Sequence, residues 1–162
     1  MIMILTIPLL GCGRTTSGGL TESRAVALMN TYAEARNTNN LALLDSIMDP
    51  NAVMYDPTFT EPLEGLDVIK QFYVGTHSAF PDFHVEFDAV HVAGDVIVSE
   101  WTMSGTQTGP LGEYAPTGRT MQISGVALSR VKNGRVTEDK VYLDRLGLME
   151  QLGFELVRPD VR

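Results

Sequence analysis

Hydrophobic positions along the chain fall into two regimes. From Thr21 to about Asn37, Ala25, Leu28, Met29, Tyr32 and Ala33 recur at helical spacing behind Thr21, a residue type that caps helix N-termini. "NNLALLDSIMDPNA" predicts a second, short helix ending at Asp49-Pro50, because the residue before a proline resists helical backbone. "AVMYDP" reads as a brief strand. After Gly65, "LDVIKQFYVGTHSAF" places Val68, Ile69, Phe72, Tyr73, Thr76 and Phe80 on one side of a third helix, which Pro81 stops. Beyond it the period changes to two. Phe83 to Ala93, Val96 to Gln107, Thr120 to Lys132 and Arg135 to Asp144 alternate or are β-branched, as half-buried strands do. Gly94-Asp95, a Gly/Pro-rich stretch at 109 to 118, and Asn133-Gly134 separate them, the last a two-residue hairpin signal. Helices first and a meander second predict an α+β domain: three N-terminal helices packed in a strongly curved, mostly antiparallel sheet, a cone with one hollow.

A chain of 162 residues holds one such domain. We place it at 21–162 and treat 1–20 as a separate segment. "MIMILTIPLLGCG" is a continuous apolar run ending at Cys12 and followed by polar "GRTTSGG", which resembles a bacterial lipoprotein signal with its lipid-attachment cysteine and a flexible tether. The run is shorter than the roughly 20 residues that span a bilayer. The expectation is a lipoprotein on the extracytoplasmic face of a bacterial membrane, touching the membrane only through lipid on Cys12. Without that anchor the protein would be cytoplasmic. Cys12 is the sole cysteine, so no intrachain disulfide forms. The net charge of −8 and scattered Lys and Arg argue against a nucleic-acid partner. No G-x-G-x-x-G or P-loop pattern is present to hold a nucleotide.

Strand parity brings out candidate chemistry. Ile97, Ser99, Trp101, Met103 and Gln107 fall on one parity, so the only tryptophan stands beside hydrogen-bonding side chains, as in a small-ligand pocket. Along the last strand, Glu138, Lys140, Tyr142 and Asp144 share one face, and Val141 and Leu143 the other. Asp144 stands where the strand runs into "RLGLMEQL". Read from the residues alone it fits an N-cap with a lowered pKa; in an apolar pocket formed by Leu143, Leu146, Leu148 and Met149 it would instead be a poised acid/base.

The ordered series "YDP", "GLDVIKQF", "AFPDFHV", "GDVIVSEWTMSGTQTG", "PTGR", "VKNGRVTED" and "YLDRLGLMEQLG" runs through nearly all of the chain after residue 21. It resembles the SnoaL-like polyketide cyclases of the nuclear transport factor two-like superfamily. The resemblance implies a conical α+β barrel, acid/base chemistry on a small hydrophobic carbonyl compound without metal or cofactor, a homodimer, and Asp144 as the acid/base. Trp101, Gln107, Tyr142 and Met103 would then surround the substrate. From the residues themselves, Asp56 in "YDP" either lines the pocket mouth or, before a proline, closes a turn, and His77, four residues after Tyr73, either points inward as a proton donor or packs as a core or rim histidine. Many relatives have "GTH" where this chain has Gly105-Thr106-Gln107, and a Gln holds a carbonyl without exchanging a proton. His84 and His91, on opposite strand parities, do not form a metal pair. Two alternatives stand beside the cyclase or isomerase reading: a lipid-anchored module that binds a small ligand without reacting it, and an epoxide-hydrolase-like enzyme in which Arg119 pairs with Glu100 or Asp144.

Overall fold

A computed structural model describes residues 19–157. The expected lipid attachment at Cys12 falls outside them. Helix α1 spans Glu22–Asn37 and is capped by Thr21, whose hydroxyl accepts from the Arg24 amide. Its buried stripe is Ala25, Leu28, Met29, Tyr32 and Ala35, while the expected Ala33 is half-buried. The second helix is shorter than its sequence suggests. A 3-10 turn, Leu41–Leu43, runs into the single turn α2, Leu44–Ile47, and strand β1, Met48–Tyr55, begins before the proline. Pro50 is tolerated within β1 because it sits in a register break between Met48 and Val53, where no ladder bond is needed from it.

The two-residue β2, Leu63–Glu64, pairs back on β1, and Gly65, at φ 93°, turns the chain into α3, Leu66–Ala79. Val68 points to solvent rather than inward. Strands β3 (His84–Ala93), β4 (Val96–Thr106), β5 (Thr120–Lys132) and β6 (Arg135–Leu143) form the meander, followed by α4, Arg145–Gln151. Asn133 and Gly134 both have positive φ, 51° and 78°, the backbone that a two-residue hairpin requires.

The sheet order is β2-β1-β6-β5-β4-β3, antiparallel throughout except for β1 beside β6. The sheet curves without closing, with α1 packed on β3 and α3 on β1. Two clusters of buried side chains result: one around α1, α3 and β1, the other around Trp101, Phe83 and Met121. A cavity lies between helices and sheet. Among the described residues no helix is long and apolar enough to cross a membrane.

Candidate active site

The cross-strand register explains the cavity wall. Ile97, Ser129 and Asp139 stand in one row across β4, β5 and β6; Ser99, Ala127 and Val141 form the next; Trp101, Gly125 and Leu143 the third. Side chains of the last two rows, with Ser129 and Asp139, face a hollow of about 450 Å³ closed from the helix side by Tyr32, Arg36, Phe72 and Tyr73. That volume suits a small organic molecule. Gly125 makes room for the indole: a Cβ there would lie 2.3 Å from Trp101 Cζ2.

Asp139 is the buried acid among the three that line this space, with Asp56 and Glu113. It is 3% exposed, and its carboxylate accepts from the Ser129 hydroxyl at 2.7 Å and from the Tyr32 hydroxyl at 3.3 Å. Tyr32 is hydrogen-bonded in turn to the Tyr73 hydroxyl, which reaches the Met54 sulfur. Burial raises the Asp139 pKa, outweighing the two hydrogen bonds and the Arg36 charge, which act to lower it; the Asp56 charge adds to the rise. Burial also pushes both phenols well above their ordinary range, so they stay protonated. The site is a carboxyl inclined to hold a proton, backed by a chain of hydroxyls.

Ser99 has a different character. It is fully buried in the cavity wall, and its hydroxyl is the one buried side-chain polar atom without a partner among the described residues. A lone buried hydroxyl costs stability unless something in the cavity satisfies it. Ser99→Ala is therefore expected to leave the melting temperature of the empty protein unchanged or higher. Ser129→Ala, which strips a partner from Asp139, is expected to lower it. Thermal melts of the two variants check this, and a larger loss in Ser99→Ala would show that its hydroxyl is already bonded.

The residues expected from sequence divide into two groups. Trp101 and Met103 line the cavity, and so does Asp56, whose carboxylate also accepts from the Thr58 amide to close a turn. Asp144 does not face the cavity. It is exposed, stands on the outward parity with Tyr142, and caps α4 by accepting from the Gly147 amide at 2.9 Å. Gly147 permits this contact, since a Cβ there would lie 2.5 Å from Asp144 Oδ2. Tyr142, 57% exposed, stands outside as well.

Gln107 is buried but lies outside the cavity lining. Its amide donates to the carbonyls of Gly109 and Ala115 and accepts from Thr117, tying down the loop that brings Leu111 to Tyr114 over the cavity. His77 donates from Nε2 to the Arg36 carbonyl and sets its ring against Phe83, outside the cavity lining. Arg119 packs on Gly153, so it meets neither Glu100 nor Asp144 across a reactive space. Among the described residues no three His, Cys, Asp or Glu come together to hold a metal ion.

Asp139, Arg36 and Ser129 are the functional candidates that sequence reading passed over; Ser99 stands on the pocket parity that it brought out. The available signal for Asp139 was parity, because it shares a face with Val141 and Leu143. Arg36 follows Tyr32 by four residues and so lies one turn along the same helix face.

The model of the SnoaL-like polyketide cyclase family matches residues 26–152. The chain belongs to this family. No curated protein matches the sequence. Among solved structures, TsrD from Streptomyces laurentii is 25% identical with a TM-score of 0.75, the match covering 83% of this chain and 98% of TsrD. A SnoaL-like protein from Jannaschia is 21% identical at a TM-score of 0.75, covering 83% and 95%. A protein with a ketosteroid isomerase-like fold from Catenulispora acidiphila, in complex with trimethylamine, is 18% identical at a TM-score of 0.67, covering 79% and 93%. The fold is the α+β cone that the pattern of helices and meander predicts, and the nuclear transport factor two-like fold that the resemblance implies.

Proposed function

We propose that this SnoaL-like protein is a cyclase or isomerase that moves a proton on a small hydrophobic carbonyl compound, with Asp139 in the acid/base role that its sequence suggested for Asp144. The observation that carries this reading is a buried carboxyl of raised pKa opening onto an apolar cavity of substrate size. A solvated carboxylate is too weak a base for carbon acids, and a desolvated one comes nearer the working pH. Asp139, once ionised, takes a proton from carbon flanked by carbonyls. The oxygen that gains charge has the Ser99 hydroxyl available to it, and the proton returns from Asp139 to the new alkoxide or carbon. Apolar walls from Trp101, Phe72 and Met103 hold the substrate and exclude water.

Asp144 serves the fold in this reading. Asp144→Ala is expected to cost about 1 kcal/mol through the lost cap while leaving chemistry in place. The test is exchange of the acidic C–H of cyclic 1,3-diketones into deuterated water, followed by NMR. Wild type and Asp144→Ala should accelerate exchange and Asp139→Asn should not. Exchange that persists in Asp139→Asn and disappears in Asp144→Ala would return the role to Asp144.

A further inference from the structure

Arg36 is a cation in an apolar wall and forms no ion pair among the described residues. Its guanidinium carbon lies 4.5 Å from the ring centroid of Tyr73 and 4.5 Å from that of Phe83. Stacking on the rings leaves the N–H donors at the guanidinium edge, in the fork geometry that matches a carboxylate. Among the described residues the ion pairs engage Lys70, Arg130 and Lys140, and the arginine side chains that donate hydrogen bonds are Arg24, Arg130, Arg135 and Arg145. Arg36 is in neither set.

The other charged groups lining the cavity are occupied or peripheral. Asp56 holds the Thr58 amide, Arg145 donates to the Pro57 carbonyl at 2.9 Å, Glu113 is exposed, and Asp139 is satisfied by Ser129 and Tyr32. Arg36 is also held in place: its own carbonyl takes the His77 hydrogen bond, and that histidine ring abuts Phe83, one of the two rings on which the guanidinium stacks. The Ser99 hydroxyl, on the opposing sheet wall, is a second polar group in the same cavity without a partner among the described residues.

We propose that Arg36 is a carboxylate receptor, so that the compound bound in the cavity is a hydrophobic carbonyl compound bearing a free carboxylate, held by the guanidinium edge while the rest of the molecule reaches toward Asp139. This rests on the reading of the cavity as a substrate site. Tyr32 connects the two ends: the Arg36 guanidinium carbon lies 6.0 Å from its ring centroid, and its hydroxyl bonds Asp139. A carboxylate on Arg36 also offsets the positive charge that lowers the Asp139 pKa, so binding such a substrate makes Asp139 a stronger base.

Matched acids and methyl esters test the proposal: benzoate, 2-naphthoate and anthracene-2-carboxylate against their esters, titrated into the full chain at neutral pH with Trp101 fluorescence as the readout. A charge-assisted bidentate pair should favour at least one acid over its ester by about tenfold or more. The preference should vanish in Arg36→Met, with ester affinity retained as proof of an intact cavity. If Arg36→Met loses the ester too, Arg36→Lys decides, because a point charge should reduce the preference. The proposal fails if no acid is preferred, if no pair binds at all, or if the preference survives Arg36→Met or is undiminished in Arg36→Lys. Acid binding should persist in Asp139→Asn, so this result and the proton-exchange result can fail independently.

Discussion

Asp139→Asn is expected to lower proton exchange and turnover by about 10²- to 10⁴-fold, the usual contribution of a positioned acid/base, while the protein keeps its fold. Asn nearly matches the carboxyl in shape, and its amide oxygen still accepts from Ser129 or Tyr32. The same variant carries a stability signature. A carboxyl whose folded pKa is raised binds its proton more tightly in the folded state than in the unfolded chain. Between the ordinary carboxylate value of about 3.9 and the raised folded value, the native state therefore holds more protons, and stability falls as pH rises through that window. Asp139→Asn removes this contribution, so its melting temperature should gain on wild type as pH increases. Melts at several pH values measure the difference; a gap between variant and wild type that is constant with pH would mean that the carboxyl is not held protonated by burial.

Gly125→Ala is expected to lower the melting temperature by several degrees and to change the emission of the sole tryptophan. The new methyl would sit 2.3 Å and 2.5 Å from two indole carbons and 2.5 Å from the Tyr142 carbonyl oxygen, which is backbone and cannot turn aside. Overpacking of this kind costs about 1–3 kcal/mol, and each kcal/mol moves the midpoint by about 2–4 °C in a domain of this size. Because the indole lines the cavity, ligand affinity should fall with stability. Unchanged melting and emission would show that Trp101 does not lie over Gly125. Gly125 faces Trp101 across one ladder and Leu143 across the other, so its lack of a side chain is what permits a large aromatic in this row.

Much of this arrangement was legible in local pattern. Helical spacing marked α1 and α3, alternation marked the four long strands, and Asn133-Gly134 marked the hairpin. The errors have physical causes. Pro50 suggested an ending, yet it was absorbed in a register break that only the partner strand β6 creates. Strand β2 is two residues long and exists through pairing, with no periodicity of its own to display. For the site, parity on β4 puts Trp101 and Met103 on the face that lines the cavity, whereas on β6 Asp144 stands on the outward face and Asp139 on the inward one. "TEDKV" looks like a solvated run, and nothing local distinguishes Asp139 from its charged neighbours. What buries it is the meeting of β5, which brings Ser129, and α1, which brings Tyr32 from 107 residues away. Arg36 was obscured in the same way: a cation near a helix end reads as a solvated side chain until Phe83 and Tyr73 are seen to pack on it.

The sheet order also bears on how the protein assembles. Strand β6 is the last strand to be made, yet it sits in the interior, parallel to β1 and antiparallel to β5. A growing chain can form the β3-β4-β5 meander early from neighbouring segments, while β1 must wait for a partner more than eighty residues downstream, as in its pairing of Met48 with Val136. Insertion of β6 joins the two halves of the sheet and delivers Asp139 in the same event. The carboxyl is thus withdrawn from water only when Ser129 and Tyr32 are in place to receive it, and a chain cut short before β6 would have neither a finished cone nor its acid.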